Sequence, residues 1–230
     1  MLPNTDRLLT GLPDYSTPEL LKQWEEARAV LERVGELGVP QAMGVETRSV
    51  LFRVIRALGY TKILDIGTST GTSALAYALA AGKRGHVVTV DKLDANDPYG
   101  RWQKRNRPFP PWKLMHVADV ADRVEFVTED SVRYLQNTPH NTFEFISIDG
   151  SHRESVVYKE IRLALKRLRR GGLIFLDDMH PPGFVPNEGC DFIPGPWIAT
   201  QRRLAESSEL KLIHPVDGLP VAFLVRQCCQ

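Results

Sequence analysis

Short apolar runs that alternate with helical segments constrain this chain most. "KILDI" (62–66), "HVVTV" (86–90), "RVEFV" (123–127), "FEFISI" (143–148) and "GLIFLD" (172–177) each read as a strand, and helix-patterned segments separate them. Near-continuous apolar strands joined by helices imply parallel neighbours buried on both faces. The chain ends with "LKLIH" (210–214), a turn at Asp217-Gly218, and "VAFLVR" (221–226), the pattern of an antiparallel hairpin at one edge. The expected fold is α/β, with a doubly wound, mostly parallel seven-stranded sheet and an antiparallel C-terminal hairpin. Ahead of it, residues 17–36 carry Leu20, Leu21, Trp24, Ala27, Val30 and Leu31 at helical spacing, and a second helix covers about 47–58. This divides the chain into an N-terminal helical extension, 1–40, and a main domain, 41–230. Residues 92–113 and 180–197, rich in Pro, Gly and aromatics, follow the carboxyl ends of strands, where ligands of such sheets bind. They are candidate lids.

"LDIGTSTGTS", Leu64 to Ser73, turns from the first strand into a helix. Gly67, Thr68, Ser69 and Gly71 would present backbone N–H groups and a helix N-terminus to an anion. The dinucleotide fingerprint GxGxxG needs a glycine where Ser69 stands, so close approach of a pyrophosphate is disfavoured and a smaller carboxylate suits better. Asp65 precedes the turn and can receive an ammonium. Asp91 ends the next strand, placed for ribose hydroxyls, and Asp130-Ser131 follow the third strand, placed for an adenine edge. S-adenosylmethionine carries a carboxylate, an ammonium, a ribose and an adenine, and no phosphate. The competing readings are a structural βα turn with incidental acids, and a dehydrogenase.

Asp149 ends the fourth strand and Asp177-Asp178 end the fifth. If those strands are neighbours, three carboxylates converge, and they repel unless a cation joins them or some are protonated. Oxygen ligands favour a hard ion, Mg²⁺ or Mn²⁺. Helix capping with a surface charge is the alternative for the double Asp, and a cofactor contact is the alternative for Asp149. His152, one turn beyond Asp149, is a candidate base near neutrality. A capping or exposed histidine would look the same, and His180 reads as a loop residue.

Charge and composition narrow the functions. A formal net charge of +1 gives no global attraction to nucleic acid or anionic membrane, and 43% hydrophobic with 25% charged residues is a globular composition. No apolar run approaches the roughly 20 residues that span a bilayer. The opening "MLPNTDRLLTGLPDYS" lacks a signal-peptide core, and Cys190, Cys228 and Cys229 form neither metal spacing nor a disulfide framework. A cytoplasmic setting is expected. Arg101, Lys104, Arg105, Arg107 and Lys113, interleaved with Trp102 and Trp112, could contact nucleic acid but read more simply as a solvated lid. Lys166 to Arg170 reads as a solvated helix end.

Taken together, "ILDIGTSTGTSALAYALA", "VTVD", "TEDS", "IDGSH" and "GGLIFLDDMH" resemble the class I S-adenosylmethionine-dependent methyltransferases. Within them they are similar to the divalent-metal-dependent small-molecule O-methyltransferases of catechol and macrolide-sugar type. "AMGVETRSVLFRVI" and "HPVDGLPVAFLVR" extend that resemblance over about 41–226. It implies a Rossmann-like methyltransferase fold. Val45, Gly67, Ser69 and Ser73 would lie against the methionine part of the cofactor, Asp91 at the ribose, and Asp130 and Ser131 at the adenine. Asp149, Asp177 and Asp178 would hold the metal, and His152 would stand where catechol enzymes carry a lysine base and sugar-type enzymes a histidine. Asp178 replaces the Asn of the catechol group, and Pro220 replaces its substrate-binding Glu. The expected activity is methyl transfer to a hydroxyl of a small molecule such as a sugar, phenol or natural product. The alternatives are a metal-independent enzyme of the same fold, a nucleic-acid methyltransferase and a non-catalytic cofactor-binding protein. No membrane or nucleic-acid partner is expected, and the apolar stripe of the first helix suits the sheet or a second subunit.

Overall fold

The computed structural model describes residues 12–37, 43–183, 194–216 and 218–227. Two helices lead in: α1 (Pro18–Arg33) and α2 (Val45–Leu58). The alternating part follows as β1 (Lys62–Ile66), α3 (Thr72–Ala81), β2 (His86–Asp91), α4 (Arg101–Lys104), α5 (Pro111–Val117) and β3 (Val124–Thr128). It continues as α6 (Ser131–Asn137), β4 (Phe143–Ile148), α7 (Glu154–Arg167), β5 (Leu168–Leu176), α8 (Gly195–Ala205), β6 (Leu210–Ile213) and β7 (Ala222–Arg226). Local chemistry marks the ends. Thr17 caps α1 by accepting from the N–H of Leu20, and Gly59 closes α2 at φ 69° in the left-handed region.

The strands form one sheet in the order β3-β2-β1-β4-β5-β7-β6. β1 to β5 run parallel to one another, whereas β7 runs antiparallel between β5 and the edge strand β6. The expected doubly wound sheet with its C-terminal hairpin is what the chain forms. Strand alternation splits the core in two. Ile63, Phe145, Leu173, Phe175 and Phe223 face α1, α2, α3 and α5, while Leu64, Ile66, Ile146, Ile174 and Leu224 face α7 and α8. Each of these fully buried side chains stabilises the fold by roughly 1.5–3 kcal/mol relative to an exposed one. Trp24, Ala27 and Leu31 of α1 lie in the same core cluster as the sheet, so the described part of the N-terminal extension packs as a layer of the main domain.

Two expectations change. β5 begins at Leu168 rather than near residue 172, and a register shift opposite Phe143 and Phe145 accommodates the early start. Gly172 permits it, because a Cβ there would lie 2.7 Å from the Glu144 carbonyl oxygen. The Lys166–Arg170 run is also not simply a solvated helix end. Arg167 is buried and donates to the carbonyls of Leu135 (2.6 Å) and Gln136 (3.1 Å), meeting the otherwise unpaired acceptors that end α6. Among the described residues no helix is long and apolar enough to cross a membrane.

Candidate active site

The sheet order reverses between β1 and β4, and the crevice at their carboxyl ends is where open α/β sheets bind ligands. Here the Gly-rich turn meets the end of β4. The N–H of Asp149 donates to the Ile66 carbonyl (3.0 Å) and that of Gly67 to the Val90 carbonyl (2.9 Å). Gly67 has φ 108°, and a Cβ on it would sit 2.2 Å from the Asp149 carbonyl oxygen, so only glycine fits. Ser69, at φ 51°, holds a left-handed conformation without being glycine. Buried Thr68 is fixed through its hydroxyl to Thr89 (2.8 Å), and Gly71 precedes α3 with no side-chain cap. Val45 opens α2, partly buried against the core face that α3 shares.

Asp65 is completely buried beneath this turn. One carboxylate oxygen accepts from Ser73 Oγ (3.0 Å) and Thr89 Oγ1 (2.9 Å), while Oδ1 has no partner. Burial pushes its pKa up to about 7, against the opposing effect of those two hydroxyls. Ser73 is therefore engaged with Asp65. Asp91 is likewise engaged: Oδ2 accepts from the Ser69 N–H (3.2 Å) and Arg101 Nη1 (3.0 Å), and Oδ1 from the Leu93 N–H (3.1 Å). At the third strand end, Asp130 caps α6 by accepting from the Arg133 N–H (3.0 Å). The Ser131 hydroxyl donates to buried Glu160 of α7. Sequence reasoning assigned these side chains to a ligand without foreseeing their partners within the chain.

At the ends of β4 and β5, ligand atoms of Asp149, His152 and Asp178 all lie within 4.8 Å of one another. His152 Nε2 stands 2.8 Å from Asp178 Oδ2, and His180 Nε2 lies 3.7 Å from Asp178 Oδ1. The ion pair with Asp178 raises the His152 pKa and lowers that of Asp178. Asp149 is pushed well up, first by burial and then by the charges of Asp177 and Asp178. Burial and the charge of Asp178 raise Asp177 as well. The structure thus gathers the predicted acids but puts His152, rather than Asp177, in the compact trio. Asp178 follows the end of β5 in a left-handed conformation, at φ 52°. The backbone carrying His152 is held closely, since a Cβ on Gly195 at the start of α8 would lie 1.9 Å from the His152 carbonyl oxygen. The Gly-Pro ahead of Trp197 was the available sequence signal for that approach.

Mutual repulsion among neighbouring carboxylates is relieved by protonation or by a cation. The oxygen donors of Asp149 and Asp178 fit a hard divalent ion, and one imidazole in the set is compatible with Mn²⁺.

The segment after β2 reaches across this site. Arg101 pairs with Asp91, Arg105 Nη1 donates to Ser69 Oγ (2.9 Å), and Arg107 pairs with Glu36. Three arginines of the basic run thus point into the chain's own acceptors. Glu36, almost fully buried, also accepts from Thr72 Oγ1 (2.5 Å), and its carbonyl accepts from buried Arg48 (2.7 Å). Sequence reasoning missed Glu36 and Arg48, which carry no local motif. Most of the second candidate lid (184–193), with Phe184, Phe192 and Cys190, lies outside the described residues, as do Cys228 and Cys229.

Comparison with known proteins agrees with this arrangement. A family described as a methyltransferase domain matches residues 64–179, slightly more than half of the chain. A probable caffeoyl-CoA O-methyltransferase 2 of Dictyostelium discoideum is 29% identical over 175 residues, covering 72% of this chain and 70% of that protein. A catechol O-methyltransferase of Mycobacterium tuberculosis is 28% identical over 174 residues, covering 76% and 70%. Among solved structures, an O-methyltransferase from Bacillus cereus in complex with SAH superposes with a TM-score of 0.59 at 21% identity, over 89% of this chain and 91% of that one.

Proposed function

Because the chain belongs to the methyltransferase-domain family, in the class I S-adenosylmethionine-dependent O-methyltransferases, we propose that it methylates a hydroxyl of a small molecule with divalent-cation assistance and His152 as general base. The observation that carries this reading is the convergence of Asp149, His152 and Asp178 within 4.8 Å, beside the Gly-rich turn. Asp149 and Asp178, with Asp177 beside them, would hold Mg²⁺ or Mn²⁺. S-adenosylmethionine supplies an electrophilic methyl group, and a bound divalent cation lowers the pKa of a nearby hydroxyl.

The chain's own residues do the rest. The N-terminus of α3, which no side chain caps, would face the cofactor's carboxylate, the unpartnered oxygen of Asp65 below the turn would answer its ammonium, and Asp91, now paired with Arg101, would hold the ribose hydroxyls. Asp130 and Ser131 border the adenine. His152 takes the acceptor's proton. Asp178 sits 2.8 Å from Nε2 and favours the proton on that nitrogen, which orients the ring and leaves the Nδ1 lone pair for the acceptor. Aligning two bound reactants supplies most of the remaining rate enhancement. The close approach of Gly195 to the His152 backbone serves that alignment.

A second reading has its own observation: His152 stands inside the trio where Asp177 was expected, so it would be a cation ligand rather than the base. Turnover with a panel of diols, phenols and sugars, with Mg²⁺ or with EDTA, tests the proposal through mass detection of the methylated product. Methylation that stops in EDTA and returns with Mg²⁺ is expected. Undiminished methylation in excess EDTA would overturn the cation's part.

A further inference from the structure

Three arginines lie close together in the loop after β2, and two of them end on carboxylates: Arg101 on Asp91 and Arg107 on Glu36. Arg105 does not. Its Nη1 donates to the neutral hydroxyl of Ser69 at 2.9 Å, and among the described residues no carboxylate lies within ion-pair distance of it. Ser69 is the left-handed residue at the tip of the Gly-rich turn, beside the N-terminus of α3, which no side chain caps. The guanidinium is also close enough to Asp149 to oppose the upward push on that carboxyl. It is thus a charge between the turn and the acid cluster, not neutralised by a protein anion.

The electrostatics of the crevice give this cation a task. The proposed methyl donor carries an α-carboxylate, and Asp149, Asp177 and Asp178 stand at the crevice with Asp65 buried beneath the turn. An entering carboxylate meets like charge there unless a cation faces it. Backbone N–H groups and a helix N-terminus supply only partial positive charge. A guanidinium supplies a full charge and a two-pronged fork that matches a carboxylate. Arg101 does not fill this role, since its guanidinium is already paired with Asp91, the proposed ribose acid.

We propose that Arg105 is the cationic receptor for the carboxylate of the cofactor's amino-acid moiety, delivered to the Gly-rich turn by the segment after β2. This rests on the reading that S-adenosylmethionine is the methyl donor. A single loop then senses both ends of the cofactor: Arg101 leaves Asp91 as the ribose arrives, and Arg105 gains an anion in addition to Ser69.

Calorimetric titration of the full chain with S-adenosylhomocysteine and with 5′-methylthioadenosine, which lacks the amino-acid group, tests this. Arg105→Met is expected to weaken S-adenosylhomocysteine binding by roughly tenfold or more and leave 5′-methylthioadenosine binding within about twofold. Arg105→Lys, which keeps the charge without the fork, is expected to fall between wild type and Arg105→Met. Retained 5′-methylthioadenosine binding also reports that each variant is folded. Unchanged S-adenosylhomocysteine affinity in Arg105→Met overturns the inference, as do equal losses for both ligands, or a defect confined to the acceptor's KM. Failure of the wild type to bind S-adenosylhomocysteine removes the cofactor reading and this inference with it, whereas failure of the arginine alone leaves the cofactor reading standing.

Discussion

Two centres in this molecule gather charged side chains around acids, and they are built on opposite principles. At the first, Glu36 is nearly fully buried, but Arg107 reaches its carboxylate, Thr72 donates to it, and Arg48 donates to its backbone carbonyl. The centre ties the segment after α1, helix α2, the start of α3 and the loop after β2 to one point. At the second, Asp149, Asp177 and Asp178 crowd the ends of β4 and β5, with the His152 imidazole 2.8 Å from Asp178 and His180 farther off at 3.7 Å. Burial and mutual repulsion raise Asp149 and Asp177. A buried carboxylate with its own arginine serves architecture, whereas acids that repel one another are relieved by protonation or by a cation. Glu160 is a third case. It is fully buried and takes a hydrogen bond from Ser131 without a cation.

The contrast breaks most visibly through His152. Replacing it with alanine is expected to cut turnover by about 10²–10⁴-fold and leave S-adenosylhomocysteine affinity within about twofold, as read by steady-state kinetics and calorimetry. Near-normal turnover would remove His152 from the chemistry. Glu36→Ala should act on stability instead. It leaves Arg48 and Arg107 near each other without the carboxylate, and a loss of about 3–5 kcal/mol in urea unfolding is expected. A loss under about 1 kcal/mol would mean that the network contributes little.

Glu160 gives the smallest effect, and one with a pH signature. Burial raises its pKa from 4.5 to about 7, so the folded state holds the proton more tightly than the unfolded state. Below pH 4.5 both states are protonated and the group costs nothing; stability falls as pH rises from 4.5 to 7 and levels beyond. Glu160→Gln should flatten that fall and gain stability relative to wild type above pH 7, by at most about 3 kcal/mol. A variant that tracks the wild type at every pH would show that the carboxyl ionises freely in the fold.

How much of this was legible in the sequence depends on the range of the interactions. The strands could be read from short, mostly apolar runs such as Phe143–Ile148, broken only by Glu144 and Ser147, because burial on both faces leaves a local pattern. Asp149, His152 and Asp178 could be placed at one end of the sheet, since strand ends in a doubly wound topology share an edge. Other features depend on where distant segments travel. Nothing near Arg107 announces Glu36, and nothing near Arg167 announces the carbonyls that end α6. His152 stands in the compact trio where Asp177 was expected, and the left-handed backbone of Asp178 beside it is not encoded by an Asp-Asp pair alone.

The most direct test of the central claim is a Mn²⁺ titration, followed by electron paramagnetic resonance, of the wild type, Asp149→Asn, His152→Ala and Glu36→Gln. The account predicts one ion bound per chain in the wild type, His152→Ala and Glu36→Gln, and binding abolished in Asp149→Asn. Loss in His152→Ala as well would make the histidine a ligand. A wild type that binds no ion, or an Asp149→Asn variant that binds as well as the wild type, would contradict the claim that a cation completes the cluster.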